Sequence, residues 1–391
     1  MPDAQTRQAL NLAVQDLRTR AILLSRDLHA NPELALREHR STGVLQDWLR
    51  AEGFTVTPGV AGLPTAFVAE WGAGRPRIAY LVEYDALPGL GHGCGHNLIA
   101  AGGVTAASAL RRVLGAGTSG TVMVIGTPGE EGAGGKVTEL AAGVFDEVDA
   151  ALMFHPADRT ILTRRMLACA HLTIRFHGVA AHAAKNPEAG RNALAAMIQF
   201  FVAVDGLRQH VGPDARLHGV ITNGGAAANV VPDLTEADFY VRHRTLDEAR
   251  ALADRVRACA EGAALATGTS AELVDAAPAY AHLNSNETLA RRFGGYLTEL
   301  GVAAVPPSPN DPTGSTDAGN VSLVLPTIHP FVQVAPTGTP SHSTALAQAA
   351  VSDQAHDAML CAAEALSTLG ADLIAEPALL AAAWAEFEQR G

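Results

Sequence analysis

Arg77-Ile78-Ala79-Tyr80-Leu81-Val82 is an almost unbroken apolar run, and Pro88-Gly89-Leu90-Gly91-His92-Gly93-Cys94-Gly95-His96-Asn97 follows shortly after it. The run reads as a strand buried on both faces, and the glycine-rich stretch as a loop. That loop opens onto an Ala-rich helix, about 98–114. The same grammar repeats downstream. Thr121–Ile125 is a strand, Gly126-Thr127-Pro128-Gly129-Glu130-Glu131-Gly132 a loop, and a helix lies near 135–142. Asp149–Phe154 is a further strand, ending at His155-Pro156. Strands alternating with helices predict an α/β unit with a largely parallel sheet. In such sheets ligands bind beyond the carboxyl ends of the strands, where these polar loops fall.

Upstream, Leu10, Val14, Leu17, Ile22, Leu24 and Leu28 recur at helical spacing, so 5–29 reads as a helix that Asn31-Pro32 ends. A second helix fits 38–52, and Thr65–Glu70 a strand. The middle of the chain has a different order. Leu172–Phe176 is a strand, 190–209 a helix, Leu217–Thr222 and Thr235–Arg242 strands, 246–266 a helix and Ala271–Val274 a strand. That β-α-β-β-α-β order is the ferredoxin-like pattern. It predicts an inserted domain over 168–280, with 1–167 and 281–391 forming the first domain. In the returning segment, 286–301 reads as a helix, Val321–Leu325 and Phe331–Val334 as strands, and 344–369 as one long helix after a loop ending at His342.

Composition sets the outer limits. The chain has 391 residues, 48% of them hydrophobic, which excludes disorder. Four cysteines at this length exclude a disulfide scaffold. Twenty-eight basic against 40 acidic residues give a charge of −12, which argues against a nucleic-acid partner. No window reaches about 18 uninterrupted apolar residues, so no membrane span is expected. The polar start, Met1-Pro2-Asp3-Ala4-Gln5-Thr6-Arg7-Gln8, has no apolar core of signal-peptide type after it, and a cytoplasmic location is expected. Fifteen histidines against 5% aromatics is the unusual figure.

Four clusters could carry chemistry. Cys94-Gly95-His96 sets a thiol and an imidazole on one loop, a donor set suited to zinc-like ions; a buried thiol with a capping histidine is the alternative. Adjacent Glu130 and Glu131 repel each other unless a cation or proton intervenes. One could bind metal while the other acts as general base; solvated charges at a helix start are the alternative. His155 and His342, on the loops His155-Pro156 and Gly338-Thr339-Pro340-Ser341-His342-Ser343, add two more imidazoles. Together these are enough for two metal ions and one base. Two nucleotide signatures fail. Gly91–Gly95 has G-x-G-x-G spacing, and the stretch Gly129–Lys136 lacks the P-loop glycine and hydroxyl residue.

With Glu83-Tyr84-Asp85-Ala86-Leu87-Pro88, His155-Pro156, Ala181-His182-Ala183-Ala184, Asn229-Val230-Val231-Pro232-Asp233 and Thr337–Ser343 in order, the whole chain resembles a family of di-metal amidohydrolases and exopeptidases. That family includes aminoacylases, auxin-conjugate hydrolases and carboxypeptidase G. The nearest branch is that of the aminobenzoyl-glutamate hydrolases and β-alanyl dipeptidases. The resemblance implies a zinc-exopeptidase-like α/β/α metal domain and an inserted ferredoxin-like lid and dimerisation domain. It implies two divalent ions, zinc or manganese first, with cobalt and nickel as alternatives. Cys94, His96, Glu131, His155 and His342 match its metal ligands, and Glu130 its general base. Asp85 matches the aspartate that supports the metal cluster. His182 matches a histidine that polarises the scissile carbonyl, often in the partner subunit's site. Asn229 and Arg242 match positions that grip the substrate carbonyl or carboxylate. The chain departs from the family at Glu83, where many relatives have a ligand histidine, and at Asn97, where aspartate is common.

The residues leave some roles open. Arg244 competes with Arg242, His92 could be a ligand or a loop residue, and Asp317 could be structural or substrate-facing. His182 could instead bond the local backbone, and Asn229 could be a turn residue. The reading is metal-dependent hydrolysis of an amide in an N-acyl amino acid, an aminobenzoyl-glutamate-like conjugate or a small dipeptide. The expected partner is a small molecule with a free carboxylate, acted on by a homodimer formed through the inserted domain. An inactive, metal-free binding homologue is the rival.

Overall fold

The computed structural model describes residues 3–390 apart from 116, 309, 310 and 312. Two compact units emerge: Met1–Arg165 with Leu283–Pro312 and Asp317–Gly391, and Met166–His282 with Thr313–Thr316.

In the first unit the strand Phe67–Val82 is the centre of the sheet. Its second half runs parallel to Ser119–Gly126, from Arg77 opposite Thr121 to Val82 opposite Gly126. Its first half meets the same strand with the numbering reversed, Phe67 opposite Gly126 and Gly72 opposite Thr121. The two strands read from the sequence, Thr65–Glu70 and Arg77–Val82, are therefore two arms of one strand, both paired with Ser119–Gly126 and running in opposite directions along it. Ala150–Leu152 pairs parallel to Ile78–Tyr80, and Thr327–Ile328 parallel to Ala150–Leu152.

Period-two alternation divides the sheet between two cores. Ile78, Tyr80, Val82, Val122, Val124, Ala150 and Leu152 face one core, shared with the helices Ala4–Ala30, His96–Val113 and Asp353–Ala375. Ala79, Leu81, Met123, Ile125, Ala151 and Met153 face the other, with Phe145, Val148 and Val321. This is an α/β/α sandwich with its parallel strands buried on both faces, as their apolar runs predict. Asp353–Ala375 is long and apolar enough to cross a membrane. It is the central core helix of this unit, with 72% of its most apolar window buried. Tyr80 donates its hydroxyl to the Leu366 carbonyl on it.

Three local expectations are corrected. Val321–Leu325 is not a strand: Ala318–Ser322 is a short helix, because the buried Ala318, Val321, Ser322 and Leu325 fall at i, i+3, i+4 and i+7. The long helix expected over 344–369 is two, Thr344–Ala349 and Asp353–Ala375, since Ser352 turns out of the helix and caps the second by accepting from the Ala355 N–H. His155 does not close a strand but opens one: His155–Ala157 pairs parallel with Phe331–Gln333. The strand Thr55–Pro58 and the helix Pro377–Arg390 had no reading in the sequence.

The second unit is a four-stranded antiparallel sheet in the order Arg216–Asn223, Leu234–His243, Ala168–His177, Ser270–Tyr280. Helices Ala193–Arg208 and Leu246–Thr267 complete the ferredoxin-like order. Leu172, Ile174, Phe176, Ala237, Phe239 and Val241 supply the sheet's share of its core.

Candidate functional site

The polar residues of the first unit gather where the sequence places them, just past the carboxyl ends of the parallel strands. Glu83 and Asp85 follow Phe67–Val82, Glu130 and Glu131 follow Ser119–Gly126, and His155 follows Ala150–Leu152. Cys94 and His96 sit at the start of the helix His96–Val113. Gly95 makes that start: its φ is +80°, and a Cβ there would lie 2.9 Å from Pro156. His342 arrives from the far end of the chain, its N–H bonded to the Gly93 carbonyl at 3.0 Å. Its own φ is 54°, an uncommon conformation for a residue with a side chain.

His96, Glu131 and His155 are held from behind. His96 is fully buried, and its Nδ1 is 3.0 Å from Asp85 Oδ1 and 2.9 Å from the Asp85 carbonyl. Asp85 Oδ2 accepts from the Glu131 N–H at 2.9 Å. His155 Nδ1 donates to the Pro156 carbonyl at 2.7 Å, which leaves Nε2 as the lone-pair nitrogen, 3.4 Å from Cys94 Sγ. His342 Nε2 is 3.3 Å from Glu131 Oε1. Ligand atoms of Cys94, His96 and His155 all lie within 4.8 Å of one another, as do those of Cys94, Glu131 and His342, and of His96, Glu130 and Glu131. Cys94 is common to the first two groups.

The electrostatics fit a cation site. His96 Nε2 and Glu83 Oε2 are buried without a hydrogen-bond partner, 3.6 Å apart. Such orphaned atoms are costly unless something else engages them. Burial, then Glu83 and Glu131, push the Glu130 carboxyl well above the usual range. Burial pushes the Cys94 thiol up, with Glu131 adding to it. Burial drives His155 down to about 3, so it is a neutral imidazole, the form that binds metals. The set of one sulfur, three imidazoles and carboxylates is a borderline-soft mixture suited to zinc-like or manganese-like dications.

A family model described as peptidase family M20/M25/M40 matches residues 80–369. The chain belongs to this family. Membership makes it a hydrolase of peptide or related amide bonds. This M20 chain is 39% identical over 381 residues to the Xaa-Arg dipeptidase of Mus musculus, an alignment covering 93% of this chain and 88% of the relative. It is 33% identical to one of the subunits of the p-aminobenzoyl-glutamate hydrolase of Escherichia coli, covering 96% and 94%. Its fold is similar to that of an aminobenzoyl-glutamate utilization protein from Klebsiella pneumoniae, with TM-score 0.72, 22% identity and coverage of 92% and 97%. It is also similar to a dinuclear metal-binding M20 peptidase from Bacillus subtilis, with TM-score 0.64, 24% identity and coverage of 91% and 99%.

The second unit of the M20 chain carries the remaining sequence candidates. His182 is exposed; its Nδ1 accepts from the Ala184 N–H at 3.2 Å. Its segment bridges to Val230, and the Ala183 N–H donates to the Asn229 carbonyl. His182 thus does bond its local backbone, through one ring nitrogen. Arg242 Nη1 donates to Ser315 Oγ at 2.6 Å, and its guanidinium lies 5.3 Å from the Tyr240 ring centre. Arg244 instead approaches Asp214 at 3.6 Å. His92 turns away from the donors in the first unit: Nε2 faces the Leu28 carbonyl at 3.2 Å and the ring stacks on His29.

Two residues in the M20 site escaped the sequence reading. Lys136, noticed only in a failed P-loop match, is fully buried, with Nζ 2.6 Å from Glu83 Oε1 and 2.7 Å from Asp317 Oδ1. Burial pulls its pKa down, but Asp317, Glu83 and Glu130 outweigh that and hold the ammonium charged. Against the cost of its own burial, Glu83 is in turn held down to about 2, chiefly by Lys136. So Glu83 and Asp317 do join the cluster, through a lysine. His329 is buried beside His155, with ring centres 5.2 Å apart. Its signal was present: Ile328-His329-Pro330 repeats the strand-His-Pro pattern of Phe154-His155-Pro156.

Proposed function

We propose that this chain hydrolyses the amide bond of an N-acyl amino acid, an aminobenzoyl-glutamate-like conjugate or a small dipeptide, using two divalent ions held by Cys94, His96, Glu131, His155 and His342. One observation carries it: two donor groups share Cys94, and a third, overlapping them, includes Glu130. Bound there, the ions would supply Lewis acidity and lower the pKa of a water. Zinc and manganese suit the donors best; cobalt and nickel are alternatives.

The chain's own residues do the rest. Glu130, 8% exposed, takes a proton from the attacking water and returns it to the leaving amine. Burial, with its neighbours Glu83 and Glu131 adding to it, raises its proton affinity, which suits a group that must both accept and donate. Asp85 is a positioning residue: it fixes the tautomer of His96 and the backbone of Glu131. The bond from Ala184 to His182 Nδ1 leaves the His182 proton on Nε2, where it can donate to the carbonyl oxygen as charge develops. Arg242, pre-oriented by Ser315, and Asn229 take the substrate carboxylate and carbonyl. The domain of residues 168–280 acts as lid and dimerisation domain.

A homodimer through that domain is part of the proposal. Arg216–Asn223 is an edge strand with Val220 and Ile221 exposed, and Ile198 and Val202 are exposed on the helix Ala193–Arg208. An open edge with apolar neighbours favours pairing with a second copy. A reducing, cytoplasmic compartment suits a Cys94 thiolate ligand.

The test is a hydrolysis screen of N-acyl amino acids, p-aminobenzoyl-glutamate and dipeptides, Xaa-Arg among them, with metal counted on the same sample. The expected result is chelator-sensitive cleavage of one class with about two ions per chain. Cleavage indifferent to chelator, or none in metal-loaded protein across the panel, would overturn it.

A further inference from the structure

Beside these three donor groups is a fourth, which shares Glu130 with one of them. Carboxylate oxygens of Glu83, Glu130 and Asp317 lie within 4.8 Å of one another, and all three side chains are buried. Acidic residues alone make no site. Here two further observations point to a cation. The fully buried Lys136 ammonium is already engaged with two of the three carboxylates, at 2.6 and 2.7 Å. And Glu83 Oε2, on a side chain with no exposure, has no hydrogen-bond partner; it faces His96 Nε2 at 3.6 Å, so Glu83 lies between this group and the paired site.

The local geometry is built to hold this lysine still. Its own N–H donates to Asp317 Oδ2 at 3.0 Å, so Asp317 grips both ends of the residue. Gly135 before it lets the backbone in close: a Cβ there would lie 1.8 Å from the Pro128 carbonyl oxygen. A lysine anchored at both ends and buried among carboxylates occupies the place of an ion rather than reaching toward solvent.

We propose that Lys136 is a resident counter-ion filling a third cation position formed by Glu83, Asp317 and Glu130, and that it limits the chain to the two exchangeable ions of the proposed function. The inference rests on that reading only for the number two; the third position is argued from Lys136, Glu83 and Asp317, with Glu130 shared between it and the paired site. Hard carboxylate oxygens of this kind suit a divalent ion such as manganese. Removing the ammonium while keeping the carboxylates opens the position to one.

The experiment compares the full chain as wild type, Lys136→Met, and Lys136→Met with Asp317→Asn. The double variant keeps the net charge and removes one carboxylate. Each protein is stripped with chelator and equilibrated with excess Mn²⁺. Bound metal per chain is then counted by elemental analysis, and Tm followed against Mn²⁺ concentration. The expected result is one more ion per chain in Lys136→Met than in wild type, with a Tm that climbs more steeply with Mn²⁺. The double variant returns to the wild-type count. An equal count in folded Lys136→Met and wild type overturns the proposal. So does a Lys136→Met protein that stays unfolded at every Mn²⁺ concentration, whether or not the double variant folds. The wild-type count tests the other reading separately. Two ions without a gain in the variant remove only the third position, whereas none in wild type removes the paired site whatever the variant binds.

Discussion

Asp85 accepts from His96 Nδ1 at 3.0 Å, and it does so with only one of its carboxylate oxygens. The other takes the Glu131 N–H at 2.9 Å, so one buried side chain sets the orientation of two proposed metal ligands. Groups that orient ligands in this way typically govern metal affinity by about 10- to 100-fold. Asp85→Ala is therefore expected to weaken metal binding by that order while Cys94, His96 and Glu131 remain in place. Competition with a coloured chelator measures it. An unchanged dissociation constant would reduce Asp85 to a packing residue.

Glu130 and Glu131 are neighbours in sequence with different surroundings. Glu131 faces His342 at 3.3 Å, whereas Glu130 lies with Glu83 and Asp317 as well as with His96. Glu130→Gln should cut kcat by about 10²- to 10⁴-fold, the usual contribution of a general base, with the metal count unchanged. Cys94→Ala and His342→Ala should instead lose metal. Elemental analysis beside kcat separates the two behaviours; metal loss in Glu130→Gln would reassign it as a ligand.

The contrast between Cys94 and Lys136 marks how far the sequence could be read. Cys94, His96, Glu130, Glu131 and His155 stand on loops that directly follow local apolar runs, and strand-then-loop is a short-range signal. The alternating faces of Arg77–Val82 and Thr121–Ile125 are equally local. Lys136 takes its meaning from Asp317, 181 positions away, and from Glu83, so nothing within its own window distinguishes it from a surface lysine. His329 carries a local signal, the strand-His-Pro pattern it shares with His155, but that the two rings meet depends on short parallel strands pairing, and neither pairing nor register is visible in a run of three residues. The segment Ala318–Ser322 failed for a different reason: a short apolar run fits both periods, and only the buried face decided it. Pro377–Arg390 buries just Leu379 and Ala383, too thin a stripe to be seen among alanines.

Arg242 gives a prediction in the second unit. Its bond to Ser315 Oγ at 2.6 Å pre-orients the guanidinium for a carboxylate. A charge-assisted pair of this kind contributes about 1.5 to 3 kcal/mol, or roughly 10- to 150-fold. Arg242→Ala should raise KM by that factor for substrates with a free carboxylate and change KM little for their amides. Steady-state kinetics on matched acid and amide substrates checks it. The same loss for both would assign Arg242 to the stacking on Tyr240 and the sheet.

Glu38 supplies a pH dependence that involves no proposed ligand directly. Its Oε1 accepts from the Leu36 and Gly129 N–H groups, while Oε2 is buried without a partner. Burial, with Asp85 adding to it, raises its pKa from 4.5 to about 7. Below pH 4.5 the folded and unfolded chains both carry the proton, and the stabilising contribution is fully present. Between 4.5 and about 7 the unfolded chain ionises first, so folding stability falls as pH rises through this window. A shift of this size corresponds to about 3 kcal/mol lost across the window. Glu38→Gln has no proton to lose, so its stability relative to wild type should improve by about that amount between roughly pH 4.5 and 8. Urea denaturation of chelator-treated protein at the two pH values measures the difference without metal loss contributing. The same gap between variant and wild type at both pH values would mean that Glu38 ionises in the folded chain as it does in the unfolded one.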